Sequence, residues 1–160
     1  MTRTPLKMRW SLFMPSPGFV DGYLSYLLAR ASQRMSSEFH RVVESQGLSL
    51  MEWRVMASLS GKASLSINEL ADIVLAKQPT VTKLIGRMQA AGWVRRVDGT
   101  HDRRVSLVSL TPKGVKKVTP LLTQAQAHES QVLAGLSDQD IARLKQTLAH
   151  LIGEPVADRD

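Results

Sequence analysis

Lysine and arginine side chains, which can bind phosphate groups, are concentrated in one quarter of the sequence. The segment 77–117 holds ten of them against two acidic residues, a net charge of +8, whereas the rest of the chain holds 11 basic and 12 acidic residues. A charge that served only solubility would be spread over the whole surface, so this distribution favours a surface that binds a polyanion. The alternative is a basic face that is merely solvated.

Residue types that carry out catalysis or bind metals are sparse. The chain has no cysteine, which excludes disulfides, thiol nucleophiles and thiolate metal sites. The four histidines are scattered, without a His-Glu-x-x-His motif, and no glycine-rich phosphate loop occurs. A Ser-His-Asp triad is assembled only in three dimensions, but no local nucleophile motif supports one. We therefore expect no enzymatic activity, no metal site and no cofactor.

The N-terminal segment 1–18 contains three prolines and no periodicity, which predicts a flexible arm. Its short apolar patch is interrupted by Pro15 and Pro17, so we do not expect a secretory signal. No stretch of the chain approaches eighteen consecutive apolar residues, and we expect no membrane span. The expected location is the cytoplasm.

Short helices are predicted in the middle of the chain by their start signals. Ser49 with Glu52, and Ser66 with Glu69, form capping boxes in which each side chain satisfies a backbone N–H that has no partner within the helix. A further helix is predicted to begin at Pro79, because proline needs no amide partner in the first turn. The helix from Ser66 and the more basic helix from Pro79 are joined by about four residues, a spacing typical of a helix-turn-helix.

A β-hairpin is predicted directly after these helices. The segments 93–97 and 105–110 predict two strands, and the polar turn between them contains Asp-Gly, a strong hairpin signal. The tip carries Arg103 and Arg104. A hairpin that follows a helix-turn-helix is typical of a winged helix. We therefore predict a mainly α fold with a small β-hairpin wing.

Long amphipathic helices are predicted on both sides of this winged helix-turn-helix domain, which we place at 48–110. One helix is predicted at Val20–Ser45, and two more lie within 111–153. Their apolar positions have few partners inside a compact winged helix, which favours burial against a second copy of the chain. The alternative is a monomeric bundle. We assign 19–47 and 111–153 to dimerisation, in a chain that forms a single compact domain overall.

The sequence resembles the MarR family of bacterial transcription regulators over most of residues 20–152. The most specific motif is Asp102-Arg103-Arg104, which leads into an apolar strand and Leu110-Thr111-Pro112-Lys113-Gly114; the segments 48–55 and 81–88 also match. The resemblance implies a homodimer of winged helices that binds a palindromic operator in double-stranded DNA. Such regulators are commonly repressors that a small phenolic or anionic ligand releases. Residues 1–18 match nothing in the pattern.

In this interpretation the helix from Pro79 lies in the major groove of DNA. The side chains outside its apolar face are the predicted DNA contacts: Gln78, Thr80, Thr82, Lys83 and Arg87. Lys83 and Arg87 are four residues apart and share one helix face, from which they could bind guanine or only phosphate. For Gln78 the alternative is ordinary helix surface.

The predicted wing tip is expected to enter the minor groove, where the negative potential is focused. Arg103 and Arg104 would supply the positive charge, and the family's Asp-x-Arg spacing favours Arg104 as the groove residue. Asp102 is expected to orient an arginine through a charge-assisted hydrogen bond. His101 is expected to be a solvated loop residue, with a pH-dependent role at the tip as the alternative.

A candidate effector site combines phenol and guanidinium groups. Its predicted residues are Tyr23, Tyr26, Arg30, Arg34, Trp53 and Arg54. The first four share one side of the first helix, and the last two could complete a site for an aromatic carboxylate. The family implies a site between the dimerisation helices and the winged helix. The alternative places the tyrosines in a dimer core and the arginines in surface ion pairs.

The predicted function is a sequence-specific DNA-binding transcriptional regulator, a homodimeric repressor of a palindromic operator that a small ligand releases. The alternative is a constitutive nucleic-acid-binding structural module without a sensor. Ligand-dependent release from DNA would distinguish the two.

Overall fold

The computed structural model describes residues 18–98 and 106–153, which form two compact units, one up to Ser37 and one from Glu38 onward. The elements in chain order are α1 (Phe19–Gly22), α2 (Leu24–Ser45), α3 (Leu50–Leu59), β1 (Leu65–Ser66), α4 (Ile67–Ile73), α5 (Gln78–Ala90), β2 (Val94–Asp98), β3 (Ser106–Leu110), α6 (Pro112–Val132) and α7 (Asp138–Leu151). The predicted fold class, mainly α with a small β-hairpin wing, is confirmed. We predicted dimerisation helices at 19–47 and 111–153 and a DNA-binding domain at 48–110. This subdivision assigns functions to the segments, and it stays a prediction.

The first helix is not continuous. It was predicted at Val20–Ser45, but α1 ends at Gly22, Tyr23 takes an extended conformation with ψ 115°, and α2 begins at Leu24. Glycine has a low helix propensity, which weakens the helix just before the break. The N–H of Gly18 donates to the Asp21 carboxylate at 2.7 Å, so that α1 is a separately capped single turn. The predicted end at Ser45 is correct.

Both predicted capping boxes are confirmed. The Ser49 N–H donates to the Glu52 carboxylate at 2.8 Å, and the Ser66 N–H donates to the Glu69 carboxylate at 2.7 Å. The backbone hydrogen bond from Ser66 lowers the pKa of the Glu69 carboxyl, because it stabilises the charged form. These reciprocal bonds fix the starts of α3 and α4.

The sheet has three antiparallel strands in the order β1-β3-β2. The predicted hairpin is present, with Val94 opposite Leu110 and Arg95 opposite Ser109. The third strand, β1, pairs Leu65 with Val108 and was not predicted, since two residues show no periodicity. Because β1 runs directly into α4, this pairing attaches the wing to the helix-turn-helix.

The core of the larger unit lies between α3, α4, α5, the sheet and the first half of α6. Its fully buried side chains include Val55, Met56, Leu59, Leu70, Val81, Leu84, Ile85, Met88, Val94, Val108, Val118 and Leu121. Four of these form one face of α5 at helical spacing, as predicted. The opposite face of α5 is therefore turned to solvent.

The start of α6 packs tightly against the end of α5. The Thr111 hydroxyl donates to the Gly92 carbonyl oxygen at 2.6 Å and accepts from the Gly114 N–H at 3.0 Å. A Cβ atom at Gly114 would lie 2.0 Å from the Trp93 carbonyl oxygen, so only glycine fits there. This junction holds the base of the hairpin next to α5.

The two helices predicted within 111–153 are present: α6 begins at Pro112 after the Thr111 cap, and α7 begins at Asp138 after the Ser137 cap. Part of the apolar face of α7 is open in the single chain: Leu144 is 44% exposed and Leu151 is 55% exposed, whereas Ile141 and Leu148 are half-buried. No helix among residues 18–98 and 106–153 is long and apolar enough to cross a membrane.

Candidate nucleic-acid interface

The helix α5 begins one residue earlier than predicted. Gln78 is its first residue, Lys77 is the N-cap and Pro79 lies in the first turn. The Lys77 side chain makes no capping hydrogen bond. The N–H groups of a helix N-terminus bind phosphate well, so this end of α5 suits a nucleic-acid backbone.

Four of the five predicted contact residues on α5 are exposed: Gln78, Thr80, Lys83 and Arg87. Thr80, Lys83 and Arg87 are spaced by three and four residues and therefore share one face. The prediction that Thr82 is exposed was wrong: it is half-buried, and its hydroxyl donates to the Gln78 carbonyl oxygen at 2.9 Å. Its neighbour Val81 is buried, so that Thr82 borders the core.

The cations on α5 are not neutralised by other described residues. Within residues 18–98 and 106–153 the acidic side chains within 4 Å of a basic group are Glu38, next to His128, and Glu129, which forms an ion pair with Lys145. Neither contact involves Lys83 or Arg87, so no acidic side chain among the described residues neutralises the positive charges on the exposed face of α5.

Two lysines of the basic segment have structural contacts. The Lys113 ammonium group donates to the Ala91 carbonyl oxygen at 2.8 Å, and that of Lys117 donates to the Gln46 carbonyl oxygen at 2.6 Å. Both carbonyls lie just beyond a helix C-terminus, where the helix dipole favours a positive charge. These lysines therefore cap α5 and α2.

The strand arginines Arg95 and Arg96 were not among the predicted contacts, although both are exposed. The Arg95 Nε donates to the Ser109 hydroxyl oxygen at 3.1 Å, across the register pair of β2 and β3. Ser109 is a buried polar residue, and this bond orients the Arg95 guanidinium. Residues 105–110 do not alternate cleanly between apolar and polar types, so the sequence did not indicate that Arg95 and Ser109 would pair.

The predicted wing-tip residues His101, Asp102, Arg103 and Arg104 lie outside the residues that the structure describes. Their roles stay predictions. The strands that carry them, β2 and β3, are described up to Asp98 and from Ser106.

The candidate effector residues are distributed over the two units. In the smaller unit, the Arg30 guanidinium carbon lies 5.8 Å from the centre of the Tyr26 ring, a cation–π contact, and Tyr23 stacks on Phe19. An open groove of about 520 Å³ there is lined by Leu27, Arg30, Ala31, Gln33, Arg34 and Ser37. One phenol and one guanidinium group, those of Tyr26 and Arg30, therefore meet on α2, whereas Tyr23 lies in the break before this helix.

The larger unit contains an aromatic cluster that the sequence did not indicate. Trp53 packs edge-on against Phe39 with ring centres 5.3 Å apart, and the His128 ring lies 5.9 Å from Phe39. The His128 Nε2 atom is buried, 3.7 Å from the Glu38 carboxylate, and has no hydrogen-bond partner among the described residues. Arg54 beside Trp53 is exposed. Among described residues, no group of three or more His, Asp and Glu side chains could hold a metal ion.

Comparisons with known proteins agree with this architecture. A model of the MarR family matches residues 46–105. The transcriptional activatory protein BadR of Rhodopseudomonas palustris is 31% identical, over 81% of this chain and 74% of its own. The crystal structure of a MarR family transcriptional regulator from Silicibacter pomeroyi is 41% identical, with a TM-score of 0.74, over 84% of this chain and 96% of that one.

The chain belongs to the MarR family. It is therefore a DNA-binding transcriptional regulator with a winged helix-turn-helix, and not an enzyme, as the sequence predicted. In this MarR family regulator, α4 and α5 are the helix-turn-helix and the β2–β3 hairpin is the wing.

Two more distant structures share the fold of this MarR family regulator and contain ligands. The transcriptional repressor CouR, bound to a 23-mer DNA duplex, is 22% identical with a TM-score of 0.71, over 86% of this chain and 98% of its own. NadR in complex with 4-hydroxyphenylacetate is 22% identical with a TM-score of 0.77, over 86% of this chain and 97% of its own. One structure with this fold is thus bound to DNA, and another is bound to 4-hydroxyphenylacetate.

Proposed function

We propose that this MarR family regulator binds a palindromic operator as a homodimer and represses transcription until a small aromatic anion releases it. The observation that carries the proposal is the exposed face of α5, where Lys83 and Arg87 lie opposite a fully buried apolar face. A helix that packs the core with one side and presents cations on the other can enter the major groove without any change in the fold.

The proposed DNA contacts follow from the position of each side chain. Lys83 and Arg87 bind guanine edges or phosphates, and Thr80 contacts a phosphate or a thymine methyl group. Gln78 and Thr82 border the same surface at the start of α5. The wing residues Arg103 and Arg104, oriented by Asp102, bind the minor groove beside it.

A homodimer is supported by the apolar side chains that the single chain leaves open. Large apolar side chains of the terminal helices are 41–55% exposed: Leu24, Leu27, Val132, Leu144 and Leu151. Exposed apolar side chains in such number mark an interaction surface. A two-fold dimer presents two copies of α5, and so reads a palindrome whose half-sites are about one helical turn apart.

The effector is proposed to bind at the aromatic cluster of the larger unit. The Trp53 ring is half-buried beside the buried ring of Phe39, and the His128 Nε2 atom has no hydrogen-bond partner among the described residues, so that a carboxylate or phenol could supply one after a small movement of the side chains. NadR, which shares the fold, binds a phenolic acid of this kind. Tyr23, Tyr26, Arg30 and Arg34 are separate candidates for the same role in the smaller unit.

Operator binding is tested by fluorescence anisotropy with labelled DNA from the protein's own promoter. Lys83→Ala and Arg87→Ala are expected to weaken binding about tenfold or more, since each removes a proposed base or phosphate contact. Lys145→Ala is the matched control, because it removes one exposed lysine on α7, outside the basic segment. Equal losses in all three variants would contradict a role for α5 and indicate a non-specific charge effect.

Effector binding is tested by adding a panel of aromatic acids to the preformed complex. We expect one of them to release the DNA, and His128→Gln to retain DNA binding while losing this response. His150→Gln, which changes an exposed histidine on α7, is the control. If no acid releases the wild-type protein and the preference for the operator is shallow, the constitutive DNA-binding module is the better description.

A further inference from the structure

Gly86 is the ninth of the 13 residues of α5. A glycine in a helix interior destabilises the helix relative to alanine, because its backbone loses more conformational freedom on folding. We therefore expect a physical reason for this glycine, either a contact within the fold or a contact with a binding partner.

The described part of the fold supplies no such reason. The φ angle of Gly86 is outside the left-handed region, so its backbone conformation is open to any residue. A Cβ atom added there would have no described atom within 4 Å, whereas one added at Gly114 would lie 2.0 Å from a carbonyl oxygen. Alanine would fit at position 86 in the free protein and would stabilise the helix.

The position of Gly86 on α5 points to the reason. It is exposed, follows Lys83 by three residues and directly precedes Arg87. With 100° between successive residues, it lies roughly 150° from the centre of the buried face formed by Val81, Leu84, Ile85 and Met88. Gly86 is therefore on the side of α5 that faces away from the core, next to Lys83 on the helix surface.

We infer that Gly86 is a positioning residue, at which the backbone of α5 approaches the edges of the base pairs most closely. The major groove is only about as wide as a helix with its side chains, so a side chain on the deepest face determines how far the helix enters. Without one, α5 lies deep enough for Lys83 and Arg87 to reach their contacts. This inference rests on the proposed function and concerns one residue of it.

The test compares Gly86→Ala and Gly86→Leu with Gly135→Ala. Alanine and leucine are strong helix formers, so neither change should impair folding. Gly135 is the matched control: it is exposed, has open space around its Cβ position and lies outside α5. The melting temperature is measured by circular dichroism, and operator affinity by fluorescence anisotropy over a series of salt concentrations.

We expect Gly86→Ala to melt at or above the wild-type temperature, yet to bind the operator at least tenfold more weakly, with a larger loss for Gly86→Leu. Gly135→Ala should bind like the wild type. If Gly86→Ala binds as tightly as the wild type, or if its melting temperature falls, this inference is overturned while the proposed function stands.

The dependence of affinity on salt shows whether the cations of α5 lose their phosphate contacts. Where Lys83→Ala lowers the salt slope, Gly86→Ala should lower it too, because a helix held away from the groove no longer brings Lys83 and Arg87 to phosphate. A Gly86→Ala slope that stays at the wild-type value while that of Lys83→Ala falls would overturn the inference. A wild-type protein without operator preference would overturn both this inference and the proposed function.

Discussion

At the scale of single residues, Leu75 combines a strained backbone conformation with an exposed side chain. It lies in the turn between α4 and α5 with φ +55°, and it is 88% exposed. A non-glycine residue in the left-handed region costs about 1–2 kcal/mol, and Leu75 gains little packing in return. We expect Leu75→Gly to raise the free energy of unfolding by about 0.5–1 kcal/mol, after the larger entropy of glycine in the unfolded chain is subtracted.

Urea unfolding measures this difference. Ile73→Gly is the control, because Ile73 is also exposed but has helical geometry at the end of α4, so this variant should be less stable than the wild type. A Leu75→Gly protein that unfolds at lower urea than the wild type would show that the turn is not strained.

Gly114 represents the opposite case, a glycine that the fold requires. The Cβ atom of an alanine would overlap the Trp93 carbonyl oxygen, and a backbone atom cannot move aside as a flexible side chain can. We expect Gly114→Ala to destabilise the protein by at least about 2 kcal/mol. Gly135→Ala, with open space around its Cβ position, should change the midpoint of urea unfolding little; a Gly114→Ala midpoint equal to that of this control would rule out the overlap.

At the scale of elements, the recognition helix and the wing are expected to read different parts of the operator. Arg104→Ala should weaken binding by about 1–3 kcal/mol, with the largest effect on operators that have A·T-rich outer flanks, where the minor groove is narrow. Lys83→Ala should instead change the preference within the half-site core if Lys83 reads a base. If it binds only phosphate, it should weaken all sequences equally.

Affinities for one flank-swapped and one core-swapped operator separate these outcomes, with circular dichroism as the control for folding. An Arg104→Ala protein that binds every operator like the wild type would show that the wing assignment is wrong. The effects of the two substitutions can be compared because the hydrogen bond from the Thr111 hydroxyl to the Gly92 carbonyl holds the base of the wing at the end of α5.

At the scale of the whole molecule, the open apolar side chains of the terminal helices predict a homodimer at micromolar concentration. Light scattering should give about twice the chain mass of 17.7 kDa. Leu151→Lys, which places a charge on α7, should lower the measured mass. Leu75→Lys is the matched control, since it charges an exposed leucine that lies outside the terminal helices.

The same dimer should leave a footprint with dyad symmetry, its half-site centres about 10–10.5 bp apart on one face of the duplex. A monomeric wild-type protein, or a footprint without symmetry, would contradict the two-fold model. The monomeric bundle would then be the better description.

The sequence by itself determined features that depend on neighbouring residues. The capping pairs Ser49–Glu52 and Ser66–Glu69 act across three positions, and the buried face of α5 repeats with the helical period. Both signals are local, because a cap or an amphipathic face is formed by residues within one or two turns. For the same reason the helix-turn-helix, the hairpin and the exposed cations of α5 could be predicted.

Only the tertiary structure decided the contacts between residues that are distant in the chain. Leu65 pairs with Val108 in the sheet, and the Lys117 ammonium group caps a carbonyl 71 residues away. The cluster of Phe39, Trp53 and His128 joins three helices whose sequences contain no common motif. Such contacts depend on how the elements pack, and packing is determined by the shapes of whole faces, which no local pattern of residues encodes.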